Sequence, residues 1–214
     1  MWSGTPRAAA VERDEDMTGL LDHDRLVISQ KAKLIELTNE YVIRDEAGTQ
    51  VGVVRQEGQS KMRKALRLVS KLDQFMTHHL SVYDGGGAKV LSLTRPMALL
   101  KSTIEVADAG GTAIGRIVQK NIVGKIRFGL EDAAGTPVGE IRGENWRSWD
   151  FSIVDATERE IGRVTKKWAG LGREMFTTAD NYAFEVAPDA SGALRLLAFA
   201  AAAGIDTALK QDNG

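Results

Sequence analysis

The sequence predicts an all-β barrel with a central helix: about twelve antiparallel strands closed around a buried C-terminal α-helix. Three observations lead there. A hairpin pattern recurs along the chain, the strands within it are half apolar and half polar, and the segment Ala193–Leu209 is apolar on every side.

The hairpin pattern is an alternating strand, an Asp, a Gly-rich or polar turn, then renewed alternation. It pairs Tyr41–Asp45 with Val51–Val54, Leu80–Asp84 with Lys89–Leu93, Ile104–Asp108 with Ile114–Ile117, Phe128–Asp132 with Val138–Ile141, and Phe151–Asp155 with Ile161–Val164. From Asp84 to Asp108, Asp132 and Asp155 the spacings are 24, 24 and 23 residues. Asp suits the first turn position because its carboxylate accepts nearby backbone N–H bonds, and Gly supplies positive φ. These aspartates therefore read as turn residues rather than catalytic acids. Five hairpins, with strands before Asp45 (Arg25–Gln30 and Lys33–Leu37) and after Arg173, make about a dozen. A twisted antiparallel sheet of that size removes its exposed edges by closing.

The closed sheet has a lumen too wide for its own side chains. Ala193–Leu209 suits that space, since Leu194, Leu196, Leu197, Phe199, Ile205 and Leu209 fall all round a helix and leave no face for water. Asp189 and Ser191 are candidate caps for its start. Only Leu196–Ile205 lacks a polar side chain, about half the ~20 residues that cross a bilayer, so the helix reads as core.

The flanks and bulk numbers narrow the function. Residues 1–19, with the run Glu12-Arg13-Asp14-Glu15-Asp16, read as a disordered tail, 20–210 as the barrel domain and 211–214 as a C-terminal tail. Met1–Met17 has no apolar core behind a basic end, so no secretory signal is expected, and the expected location is cytoplasmic. A net charge of −1 gives no global attraction to nucleic acid, and none is expected as a partner. The absence of cysteine rules out disulfides, thiolate metal sites and a cysteine nucleophile. His78 and His79 point to opposite faces of a strand, Gly85-Gly-Gly87 is a turn rather than a phosphate loop, and no Gly-x-Ser-x-Gly elbow exists. No enzyme active site is expected.

Two basic groups remain. The gap from Asp45 to Asp84 is 39 residues, and its extra length holds Lys61, Arg63, Lys64, Arg67 and Lys71 around the helically spaced Met62, Leu66, Val69 and Leu72. Such an amphipathic segment suits an anionic membrane surface, where each basic residue contributes on the order of 1 kcal/mol. It also suits a solvated helix whose apolar stripe packs on the barrel or covers one end, and that is the simpler reading. Lys120, Lys125, Arg127, Arg163, Lys166, Lys167 and Arg173, with Trp146, Trp149 and Trp168, are a second candidate headgroup surface, and also read as solvated cations beside packed rings, since Trp fills barrel cores as well.

The segment Gly162–Val186 resembles the phospholipid scramblase family. The matching positions are the basic pair before Trp168, then Gly170, Arg173, Glu174, Phe176, Thr177, Ala179, Asp180, Asn181 and Tyr182, and the likeness extends over about Leu20–Leu209. It implies the tubby-like fold shared with the LURP-one-related proteins, a twelve-stranded barrel around a C-terminal helix. It also implies contact with anionic phospholipid at the inner face of the plasma membrane and movement of phospholipid between leaflets without ATP. A monomer is expected. Calcium is implied in the window Thr178–Asp189, with Asp180 and Asp189 as its carboxylates; Thr178 at the opening position and Ala183 at a turn position leave two carboxylates, enough for weak binding at best. From a different class, a soluble barrel used as a protein-binding or structural module fits the same residues.

Overall fold

The computed structural model describes residues 19–30, 40–57, 77–96, 101–121, 124–145, 149–166 and 181–209, the side chains of Gln30 and of 205–209 excepted. Twelve strands follow in order: β1 Arg25–Gln30, β2 Glu40–Arg44, β3 Gln50–Glu57, β4 His78–Asp84, β5 Lys89–Arg95, β6 Thr103–Asp108, β7 Ala113–Gln119, β8 Ile126–Asp132, β9 Pro137–Gly143, β10 Asp150–Asp155, β11 Glu160–Thr165 and β12 Asn181–Val186. Each pairs antiparallel with its sequence neighbours, and β1 pairs with β12 to close the barrel. The strand expected at Lys33–Leu37 lies outside the described residues.

All five predicted hairpins form, and one turn chemistry builds them. In the first, the Asp45 N–H donates to Thr49 O (3.0 Å), the Gly48 N–H donates to Asp45 O (3.1 Å), and Asp45 Oδ1 accepts the Thr49 N–H (2.8 Å). Asp84, Asp108, Asp132 and Asp155 accept the N–H four residues ahead in the same way. The fourth turn residue is left-handed throughout: Gly48, Gly87, Gly111 and Gly135 at φ of 82–87°, and Glu158 at 68°. A register shift follows in every hairpin, the bulge that such a turn brings.

These turns share one end of the barrel, the turn rim. The other connections leave from the opposite end, the loop rim. Glycines near the turn rim let neighbouring strands close up: a Cβ on Gly52, Gly115, Gly139 or Gly162 would sit 2.1–2.7 Å from the carbonyl oxygen of Tyr83, Glu131, Val154 or Glu185.

Helix α1, Gly192–Leu209, enters at the turn rim beside Val186 and runs through the lumen towards the loop rim. Leu197 to Ala203 are all buried. The Phe199 ring meets Phe184 of β12 edge-on, with centroids 6.0 Å apart, and Gly204 lets the helix close on Leu93 and Ile104. Among the described residues no helix is long and apolar enough to cross a membrane. Asp189 does not cap α1, because its carboxylate accepts instead from Arg159 Nη1 at 2.6 Å. Arg195, one turn into the helix, holds the entry closed by donating to the carbonyls of Leu21 (2.9 Å), Asp22 (3.1 Å) and His23 (3.1 Å) and to Asp24 Oδ1 (3.0 Å).

Three outcomes follow for denaturation experiments. Gly139→Ala, which drives a methyl towards Val154 O and the Leu194 side chain, should cost about 1–3 kcal/mol in urea unfolding, whereas Gly110→Ala, on an open turn, should stay within about 0.5 kcal/mol. Arg195→Met should cost about 2–3 kcal/mol, since it removes several hydrogen bonds to one charged group. Asp155 is held down at about 2, chiefly by the Thr157 hydroxyl and, against the opposing effect of burial, by the Thr157 N–H and Arg159. Its depressed value stabilises the fold above the unfolded-state pKa, and that contribution is lost as pH falls through about 2. Thermal melting of Asp155→Asn should therefore change less between pH 4 and 2 than melting of the parent protein.

Candidate functional site

The second basic group of the sequence is partly assembled on the outer wall. Alternation points Arg127, Arg142, Ser152, Arg163, Glu185 and Arg25 outwards, and register sets them side by side in one row: Arg127 opposite Arg142, Arg142 opposite Ser152, Ser152 opposite Arg163, Arg163 opposite Glu185, and Glu185 opposite Arg25. Lys125, Arg127, Arg142 and Arg163 line a groove of about 310 Å³ with Glu144, Asp150 and Glu160. Arg142 was not among the residues expected from the sequence; its place opposite Arg127 becomes visible only once the β8–β9 register is known.

Like charges facing each other across strands destabilise a sheet unless a counter-charge intervenes. Glu140 supplies it, accepting from Arg127 (2.5 Å) and Arg142 (3.0 Å). Burial pushes the Glu140 carboxyl up, and those two guanidinium groups outweigh it and bring it below the usual carboxylate range. Glu158 takes both terminal nitrogens of Arg142, one at 2.8 Å, and with Glu140 raises the Arg142 pKa. Arg163 is held by Glu160 (2.9 Å) and Asp150 (2.9 Å), and Lys125 by Glu144 (2.8 Å). Every cation of the groove thus has a carboxylate partner. A phosphate entering here must displace one, so the row acts first as a tie across the wall.

The outer wall continues in this character. Arg116 lies opposite both Glu105 and Glu131 and binds the latter at 2.6 Å. From β6 to β11 the wall therefore carries charges where a bilayer-spanning barrel carries an apolar band.

The loop rim differs. Lys166 Nζ stands 4.3 Å from the centroid of the Trp149 ring, which stacks on Tyr182 at 4.9 Å and 11° and meets Phe151 edge-on. Trp149 takes a φ of 46°, held by the Lys166 N–H donating to its carbonyl at 3.1 Å. Left-handed backbone at a bulky residue is strained. Lys101 Nζ donates to Lys120 O at 2.9 Å, and the stem of Lys120 lies across Gly129. Lys101 and Lys120 have no carboxylate partner among the described residues. Lys167, Arg173, Trp146 and Trp168 lie outside those residues. So do Lys61, Arg63, Lys64, Arg67 and Lys71, but the described residues flanking them, Glu57 and Thr77, are both at the loop rim.

Of the two carboxylates expected as calcium ligands, Asp180 lies outside the described residues. Its neighbour Asn181 opens β12 at the loop rim, whereas Asp189 is at the turn rim, about 20 Å away by the length of that strand. Asp189 is held below its ordinary value by the hydrogen bond and charge of Arg159. Among the described residues no three His, Asp or Glu side chains gather as metal ligands. The described part of the window does not fit a calcium site.

A second groove, of about 810 Å³, opens at the turn rim. Its lining is acidic: Asp22, Asp24, Asp45, Glu46, Glu160 and Glu185 outnumber Arg25 and Arg163.

With this geometry in view, similarity to known proteins becomes informative. A phospholipid scramblase family protein of Schizosaccharomyces pombe is 26% identical over 189 residues, covering 81% of this chain. The chain spans about half the length of that curated relative, 49%. No solved structure matches the chain. The family model described as Scramblase matches residues 4–209, taking in all twelve strands and the central helix and beginning inside the segment expected to be a tail. The chain therefore belongs to the scramblase family.

Proposed function

We propose that the protein acts peripherally at an anionic phospholipid surface, on the cytoplasmic face of a membrane, and moves phospholipids between leaflets without ATP. The family match across the whole barrel is the observation that carries this reading. Basic residues at the loop rim and the basic segment Lys61–Lys71 between β3 and β4 supply the charge that such a surface attracts. The charged outer wall and the helix buried in the lumen favour contact from outside the bilayer rather than insertion. That same burial favours a second reading, a barrel that binds at the surface as a module without transporting lipid.

The protein should co-sediment with vesicles rich in phosphatidylserine at low salt and progressively lose them as salt rises. Replacing Lys61, Arg63, Lys64 and Arg67 with Ser should weaken that binding and flatten its salt dependence. Protein left in the supernatant while the vesicles pellet would overturn the lipid reading. Reconstituted vesicles carrying a fluorescent lipid, assayed with and without calcium, should show accelerated exposure of the inner-leaflet label; binding without acceleration would leave the module.

A further inference from the structure

The two rims of the barrel differ in charge, and the strand order alone decides which connection falls at which rim. At the turn rim the segments 19–25, 44–50, 84–89, 108–113, 132–137, 155–160 and 186–191, strand ends included, together hold eleven Asp and Glu against Arg25, Arg44, Lys89 and Arg159. All are described residues. At the loop rim the described connecting residues and strand ends hold Arg95, Lys101, Lys120, Lys125 and Lys166 against Glu40, Glu57, Glu144 and Asp150. The acidity of the turn rim is a by-product of its construction, because each hairpin uses an Asp whose carboxylate accepts the N–H four residues ahead. The helix dipole opposes this polarity, but with about half a charge at each end it does not reverse it.

Distance makes the polarity effective. Strands of six or seven residues, tilted as in any closed barrel, hold the rims roughly 15–20 Å apart. That is about two Debye lengths at physiological ionic strength, so a charged plane approaching one rim responds to that rim nearly alone. An anionic bilayer repels the turn rim and attracts the loop rim. Trp149 lies at the same end, stacked on Tyr182 beside Lys166, and this pairing of Trp with Lys suits the headgroup layer.

We propose that the barrel docks end-on, with the loop rim on the anionic bilayer and the acidic turn rim held away from it. This rests on the reading that the protein meets such a bilayer. It adds an orientation: the hairpin turns face the aqueous phase, and the C-terminal end of α1 points at the lipid.

The chain contains no cysteine, so one introduced thiol gives one labelling site. Thr77→Cys at the loop rim and Ala109→Cys at the turn rim are both exposed positions. Each variant would carry an environment-sensitive fluorophore and be mixed with phosphatidylserine-rich vesicles containing a lipid-borne quencher. The loop-rim label is expected to brighten and be quenched, and the turn-rim label to stay unchanged. Two variants matched in net charge give a second measurement. Lys101→Gln with Lys120→Gln is expected to weaken vesicle affinity about tenfold or more. Ala109→Glu with Ala133→Glu, both on exposed turns, is expected to change it less than twofold. Binding with the turn-rim label quenched, or with equal loss in the two charge variants, would overturn the orientation while leaving lipid binding in place. No binding by the labelled or parent protein would overturn both.

Discussion

The fold depends on filling a lumen. Twelve strands enclose more space than their inward side chains can occupy, and an empty interior forfeits dispersion contacts that a close-packed core requires. Helix α1 fills it with a particular distribution of size. Its buried stretch is mainly alanine, Ala198 and Ala200 to Ala203, while the bulk comes from the wall, from Phe128, Phe151, Phe184 and the Ile and Leu of the strands. Alanine favours the helix and leaves room for large wall residues to reach its backbone. Leu197 and Phe199 are the exceptions, and Phe199 meets another ring, Phe184. A bulkier plug would need a wider barrel.

Order at the turn rim follows from the same constraint. The helix must be aimed into the lumen as the chain leaves β12, and it is aimed by contacts made there: Arg195 grips residues 21–24 at the start of the barrel, and Gly139 makes space for Leu194. The glycine carbonyl contacts pull the strands together at this end, and the Asp turns lock each bulge. Five copies of one turn give that rim regular structure and, through their carboxylates, its charge. Among the described residues the loop rim carries no such repeat, and in the sequence its connections differ in length and composition.

What was legible in the sequence was what is local. The Asp-turn hairpins and the apolar helix depend on residues a few positions apart, and from their number the closed barrel followed. Contacts set by register were not legible. Arg142 is separated from Glu158 by 16 residues, and nothing in either sequence neighbourhood marks the pair. Asp189 reads as a helix cap by position, but Arg159, 30 residues earlier, reaches its carboxylate. A cap is worth about 1 kcal/mol, and a charge-assisted hydrogen bond to a guanidinium competes with that easily. The reason for glycine at Gly52, Gly115, Gly139 and Gly162, a carbonyl of the next strand, needed the sheet. The basic segment Lys61–Lys71 remains known by composition and by the rim at which its flanking residues stand.

The burial of α1 limits how a scramblase family barrel can meet a membrane. Withdrawing the helix would expose Leu197 and Phe199, about 1.5–3 kcal/mol each, and also the inward face of every strand it touches, against a total stability of roughly 5–15 kcal/mol for a typical domain. Moving the helix into lipid would recover its own share of that burial but not the share of the wall, whose apolar lumen would then face water. The helix thus leaves only if the barrel unfolds. The wall is charged from β6 to β11, and the turn rim is acidic. The proposed contact with an anionic bilayer is then left to the loop rim, where Lys101, Lys120, Lys166 and Trp149 stand at the far end from the aspartates that built the fold.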